Sequence, residues 1–319
     1  MRRLSHILAL SFLSSGTFFA GAAPVFAAPL AAPVAAQVKA SKVEAITHDP
    51  LATQKWKVGE GAPRTTIVYL HGLGSSPTDS LSQRLLEGLS ERGESAEVIA
   101  PWMRPMKRGA DGDIQTAGLQ TMSDQLERAR VTIAAQPGKM ILVGHSFGGK
   151  AALQLAKEFP DKVQAVVGLA PSVNMLYSHW KLVTGERGLP DAQTIQQGLD
   201  TYEKEMHARL SYASEGEARA IKSDIRYNLV MKDLIKYEPS LERNVKTPTL
   251  VLHGTDDQAV SIHYARRFQE ANPQVRLIEF EGLGHGLDRF GDDEVTREAT
   301  QKIAGHVVEW IEQHRERAP

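Results

Sequence analysis

From Lys42 onward, apolar residues follow two rhythms. Short, nearly continuous runs of β-branched and aliphatic residues alternate with longer stretches in which apolar side chains recur every three or four positions. The short runs are Thr65–Leu70, Glu97–Ala100 (stopped by Pro101), Met140–Val143, Val163–Leu169, Thr249–Leu252 and Val275–Phe280. A strand that is apolar on both faces is one covered on both faces. The second rhythm predicts helices over Ser80–Arg92, with Leu81, Leu85, Leu86 and Leu89 on one stripe, and over Leu119–Ala135, ending at Pro137-Gly138. Further helices are predicted over Phe147–Phe159, Ile262–Ala271 and Glu294–Glu312. Repeated strand–helix units with right-handed crossovers give an α/β architecture: a mostly parallel sheet with helices on both faces. Val43–Ile46 and Lys55–Val58 fit an antiparallel hairpin at one edge.

The alternation breaks between Val173 and Lys246. This segment is polar and helix-prone, with Leu199, Tyr202, Met206, Leu210 and Tyr212 at helical spacing, a pattern that reads as a packing face. A segment of this length does not stay structureless within a compact domain. The expected organisation is a core of residues 42–172 and 247–319 with a helical cap inserted at 173–246.

The amino terminus reads as a targeting segment. Arg2 and Arg3 precede an apolar stretch from Leu4 to Ala20, and Val25-Phe26-Ala27 places small side chains at the minus-three and minus-one positions of a cleavage site. Residues 1–27 are therefore expected to be a signal peptide, followed by an Ala- and Pro-rich flexible lead-in over 28–41. Ser11, Ser14, Ser15, Gly16 and Thr17 dilute the apolar run below the ~20 residues a membrane span prefers. The expectation is an exported protein, periplasmic or secreted, with no stable membrane anchor after cleavage.

Charge and cysteine content narrow the chemistry. The net charge is −1, and −3 once Arg2 and Arg3 are removed, with no long run of like charge, so a nucleic-acid partner is not expected. The chain has no cysteine. An exported protein without disulfides must rely on its core, and thiolate metal sites and a thiol nucleophile are excluded. No metal and no cofactor are expected.

The candidate chemistry lies at the ends of the predicted strands. Gly144-His145-Ser146-Phe147-Gly148-Gly149 follows Met140–Val143 and opens a helix, the context of a nucleophile elbow. The chain reverses there within one residue, and glycines flank the serine because a β-carbon would collide across the turn. The same stretch, read through Lys150, also matches the phosphate-loop pattern G-x-x-x-x-G-K. Ala151 stands where a magnesium-binding hydroxyl should be, however, and the next strand ends without an acid. A serine needs a base, and the base an orienting acid. Asp256 and Asp257 follow Thr249–Leu252, and His285 lies in the glycine-rich Glu281–Gly286 loop after Val275–Phe280. The order Ser, Asp, His suits an elbow hydrolase. For the oxyanion, the backbone N–H of Phe147 at the helix start is one donor, and the N–H of Leu73, in the His71-Gly72-Leu73-Gly74 loop after Thr65–Leu70, is the second. His71, His145 and His253 read as residues that pack or hydrogen-bond nearby.

Taken together, His71-Gly-Leu-Gly74, Gly144-His-Ser-Phe-Gly-Gly149, Gly254-x-x-Asp257-x-x-Val260 and Gly284-His285 resemble the α/β-hydrolase family, over about Thr65 to Glu312. The resemblance implies that fold and an acyl-enzyme route. Ser146 is then the nucleophile, His285 its base and Asp257 the acid, since only Asp257 fits the family's turn. The implied substrate is a small-molecule or lipid-like acyl compound, a carboxylic ester first, with amide or thioester hydrolysis and a non-catalytic binding role as alternatives. Trp102, in the loop after Glu97–Ala100, is expected to line the acyl pocket with the cap.

Overall fold

The computed structural model describes residues 43–47, 49, 52–103, 106–108, 114–116, 121–173, 175–176, 180, 191–237 and 245–315. The signal peptide and lead-in expected over 1–41 lie outside the described residues. Among those described, no helix is long and apolar enough to cross a membrane.

The main sheet has eight strands: β1 (Val43–Ala45), β2 (Gln54–Val58), β3 (Thr65–Leu70), β4 (Ala96–Ala100), β7 (Met140–His145), β8 (Val163–Leu169), β9 (Thr249–Gly254) and β10 (Val275–Phe280). Their order across the sheet is β1-β2-β4-β3-β7-β8-β9-β10. Six strands run parallel, from β4 to β10, while β1 and β2 add the antiparallel edge that the hairpin reading anticipated. Two short strands, β5 (Met106–Arg108) and β6 (Ile114–Thr116), pair separately and antiparallel. Their shortness and lack of alternation left no sequence signal.

The continuous apolar strands now have their cause. Ile67, Tyr69, Ile141, Val143, Ala165, Val167, Leu250 and Leu252 enter one core cluster. Alternation turns Val68, Leu142, Val166 and Val251, which are equally buried, to the other face. Helix α1 (Ser80–Glu91) and the last helix, α7 (Asp293–His314), close the first face. Their axes approach closely because Gly88 has no side chain: a Cβ there would sit 2.6 Å from Ala304 Cβ. Leu89 and Ile303 are fully or almost fully buried in this layer, each stabilising the fold by roughly 1.5–3 kcal/mol. Helices α2 (Met122–Ala135), α3 (Phe147–Glu158) and α6 (Ile262–Ala271) complete the α/β alternation.

The chain divides into two compact units, one of residues 31–117, 124–173 and 240–319, the other built from 118–123 and 174–239. The second unit contains α4 (Ala192–Leu210) and α5 (Glu215–Leu234). Asp191 caps α4, its carboxylate accepting from the Thr194 N–H, and Ser214 with Glu217 forms a capping box on α5. Met206 packs on Ile221 and Ile225, flanked by Tyr202 and Leu210, so the apolar stripe is a helix–helix seam. Tyr212 leaves the stripe: it lies in the turn after α4 and is 74% exposed. The Ser123 N–H donates to Asp233 Oδ2 at 2.6 Å, which draws the start of α2 into this unit.

Candidate active site

Five parallel strands deliver the candidate residues to one carboxyl edge. In register, Leu70 pairs with Gly144, His145 with Leu169, Leu169 with Leu252 and Gly254 with Phe280. Loops that leave β3, β7, β8, β9 and β10 therefore start side by side, where open α/β sheets hold their ligands.

Ser146 stands between β7 and α3 with φ 53° and ψ −119°, a conformation L-residues rarely adopt. It persists because the neighbourhood over-determines it. A Cβ on Gly144 would lie 2.2 Å from the Gly148 carbonyl oxygen. One on Gly148 would lie 1.9 Å from the Leu70 oxygen, so the second glycine is required by the neighbouring strand as well as by the turn. Lys150 is 1% exposed within α3, which removes the side chain that a phosphate loop would offer.

Asp257 and His285 meet directly: His285 Nδ1 is 2.8 Å from Asp257 Oδ2. The acid is buried and fully used. Oδ1 accepts from the Ala259 and Val260 N–H groups, each at 2.8 Å, and Oδ2 accepts a second bond from His253 Nε2 at 3.1 Å. Burial pushes the Asp257 carboxyl up, but the hydrogen bonds from His253 and His285, the His285 charge and the Val260 N–H outweigh it and hold it well below the usual carboxylate range. Asp256 is exposed, and its carboxylate reaches only the Thr255 hydroxyl, at 3.4 Å. The loop bearing His285 is fastened from α1, where Arg84 donates to the Gly286 carbonyl at 2.6 Å and faces Asp288 at 3.6 Å.

The β3 loop abuts the elbow, since a Cβ on Gly72 would be 3.3 Å from Ser146 Cβ. The Ser75 N–H closes its turn on the Gly72 carbonyl, and Leu73 at the tip is 40% exposed. His71 pins the loop. Its Nδ1 lies 2.9 Å from the Gly72 carbonyl, which can only accept, and its Nε2 takes the Met103 N–H at 3.1 Å, so the ring is neutral with one fixed tautomer. Trp102 packs edge-on against His71, with ring centroids 5.8 Å apart, and is 3% exposed. Phe147 is buried at the first position of α3, where helical N–H groups lack an intrahelical acceptor. Among the described residues, no group of three or more His, Asp or Glu is arranged to hold a metal.

A family model described as alpha/beta hydrolase fold matches residues 65–287, which includes every strand from β3 to β10 and the whole Ser146, Asp257 and His285 constellation. The chain belongs to this family. Among curated relatives, it is 26% identical over 235 residues to a pimeloyl-[acyl-carrier protein] methyl ester esterase of Nitrosomonas europaea, covering 69% of this chain and 88% of that protein. It is 23% identical over 247 residues to the biotin biosynthesis bifunctional protein BioHC of Teredinibacter turnerae, matching 70% of this chain but only 41% of that longer protein. The monoacylglycerol lipase structure from Paleococcus ferrophilus, 21% identical, superposes with a TM-score of 0.52 over 82% of this chain and 99% of that one, which establishes the fold.

In this α/β-hydrolase, one neighbour of the constellation, Ser172, was not singled out from sequence. Ser172 Oγ lies 3.2 Å from Ser146 Oγ, and that bond, rather than one to His285, occupies the Ser146 hydroxyl. Bonds between a catalytic pair are often long without substrate and tighten when it binds. A residue just past a parallel strand beside β7 was the only available signal. His253, read as a residue that packs or hydrogen-bonds nearby, shares the acid of His285.

His145 donates from Nε2 to the His285 carbonyl at 3.0 Å, while its Nδ1 is buried without a partner. Burial foremost, then the nearby His285 charge, lower its pKa, against the opposing effects of the carbonyl bond, Asp79 and Asp257. A histidine with a lowered folded pKa takes up its proton more readily when unfolded, so its contribution is intact above about pH 6.5 and shrinks as pH falls below that. Asp257 acts in the same sense in a lower window, below about pH 4. Urea midpoints should therefore fall from pH 7 to 5 in the wild type, and fall less in His145→Gln, whose amide can still donate to the His285 carbonyl. Equal slopes would show that His145 titrates normally.

Proposed function

We propose that this hydrolase is an exported serine esterase that works through an acyl-enzyme. The carrying observation is the meeting of a strained, strand-to-helix serine with a bonded His285–Asp257 pair at one sheet edge. In this mechanism His285 Nε2 takes the Ser146 proton as Oγ attacks the acyl carbonyl. The Asp257 carboxylate holds the Nδ1–H tautomer and stabilises the imidazolium. The N–H groups of Leu73 and Phe147 receive the oxyanion. His285 then protonates the leaving alcohol, and a water activated by the same imidazole releases the acid. Export is supported by the Arg2–Ala27 layout, and an ester of a small or lipid-like acyl group is supported by the methyl ester esterase among the relatives.

The test uses the mature protein. A fluorophosphonate probe should label it once, at Ser146, and esters graded in acyl length should be cleaved faster than aminoacyl amides. Preference for the amides would replace the esterase reading with an amidase. Absence of both labelling and turnover would leave a binding protein on this scaffold.

A further inference from the structure

We propose that Ser172 is a second catalytic hydroxyl, which donates to Ser146 Oγ as that oxygen is expelled from the acyl group during deacylation. The inference rests on Ser146 being the nucleophile, as proposed above.

Its placement is built rather than incidental. Beyond β8 the chain turns sharply: Ala170 adopts φ 45°, one of three non-glycine residues with positive φ among those described, the others being Ser146 and Leu287. Strain of this kind persists only where the surroundings enforce it. Pro171 fills the space left by Gly149 and Gly168, where added β-carbons would lie 2.6 Å from Pro171 Cβ and 2.9 Å from its Cγ, respectively. The Ala170 N–H extends the ladder to Leu252, and the Ser172 N–H donates to the Ser146 carbonyl at 2.9 Å. Backbone and hydroxyl of Ser172 therefore both face the elbow, and the residue is 4% exposed.

The chemistry follows from proton inventory. In the free enzyme either hydroxyl can donate. In the acyl-enzyme Ser146 Oγ has no proton, so Ser172 must be the donor, and it faces an ester oxygen, a weak acceptor. When the tetrahedral adduct of water collapses, the carbon–Oγ bond breaks and its electron pair moves onto Oγ. His285 supplies the proton that restores the serine, and Ser172 keeps its own. A hydrogen bond to an oxygen gaining charge is about twice as strong as one between neutral groups. The interaction therefore strengthens along deacylation, and only such differential binding accelerates a step. Acylation starts from a serine that already has this bond, so it gains less.

Ser172→Ala should be compared with wild type using a p-nitrophenyl ester in stopped flow. Acylation and fluorophosphonate labelling should stay within about threefold of wild type, while deacylation slows by roughly ten- to a hundredfold, the range for a hydrogen bond to a charging group. The result would be a burst stoichiometric with enzyme, followed by a slow steady state. Should the alanine variant unfold, Ser172→Cys, a similar shape with a weak donor, carries the same expectation. Loss of both steps in proportion, or unchanged deacylation in a labelled and folded variant, would overturn the role. Failure of the wild type itself to label would instead remove the nucleophile on which the inference stands.

Discussion

Ser146→Ala is expected to abolish fluorophosphonate labelling and to lower turnover by about four to six powers of ten, since removal of the nucleophile leaves only oxyanion and binding effects. At 1.36 kcal/mol per decade this is roughly 5–8 kcal/mol of transition-state stabilisation. The variant should fold. Alanine can occupy φ 53° at a cost similar to serine, and the hydroxyl that is lost bonded only Ser172. Active-site labelling and kcat/KM on the best ester, with an unfolding midpoint as control, make the measurement. Undiminished labelling of the alanine variant would show that another residue is the nucleophile.

Asp257→Asn should cost about four powers of ten in turnover, or roughly 5–6 kcal/mol, by enforcing the wrong tautomer on His285. The hydrogen bonds decide this. Asp257 Oδ1 receives two backbone N–H groups, so the carbonyl oxygen of an asparagine must remain there and its NH₂ must occupy the Oδ2 position. That NH₂ would face the Nε2–H of His253, whose donor character is set by the Val260 carbonyl at 2.8 Å, and would donate to His285 Nδ1. His285 would then carry its proton on Nε2, where it cannot accept one from Ser146. Asp256→Asn should stay within about tenfold of wild type, a loss of no more than about 1.4 kcal/mol, because that carboxylate is exposed and reaches only Thr255. Paired kcat/KM values on folded variants decide the matter. A crippled Asp256→Asn beside a near-normal Asp257→Asn would reverse the assignment.

Much of the frame was legible from the chain. The predicted strands over 65–70, 163–169 and 275–280 and the predicted helix over 262–271 coincide with β3, β8, β10 and α6, and the other predicted ends differ from the observed ones by only a few residues. β7 and β9 extend two residues past the predicted strands, through Gly144-His145 and His253-Gly254, because the ladder with their neighbours carries the backbone on after the apolar run has ended. The stripe on α4 was readable as a packing face but overran at Tyr212. Helical spacing alone does not reveal that the chain has already turned to be capped again at Ser214.

What the sequence determined by itself is what neighbouring residues control: hydrophobic period, turn chemistry and the glycines that permit an elbow at Ser146. It also carried the order of the three candidate residues, because each directly follows its own strand. The tertiary structure alone decided how those strand ends meet. Asp257 and His285 are 28 residues apart, Ser146 and Ser172 are 26, and Arg84 lies 202 residues before the Gly286 carbonyl it holds. The first two pairs depend on the strand order β7-β8-β9-β10 and its register, which hydrogen bonds between distant segments set. No local pattern encodes which oxygen of Asp257 two imidazoles share, or that the hydroxyl beside Ser146 belongs to a second serine.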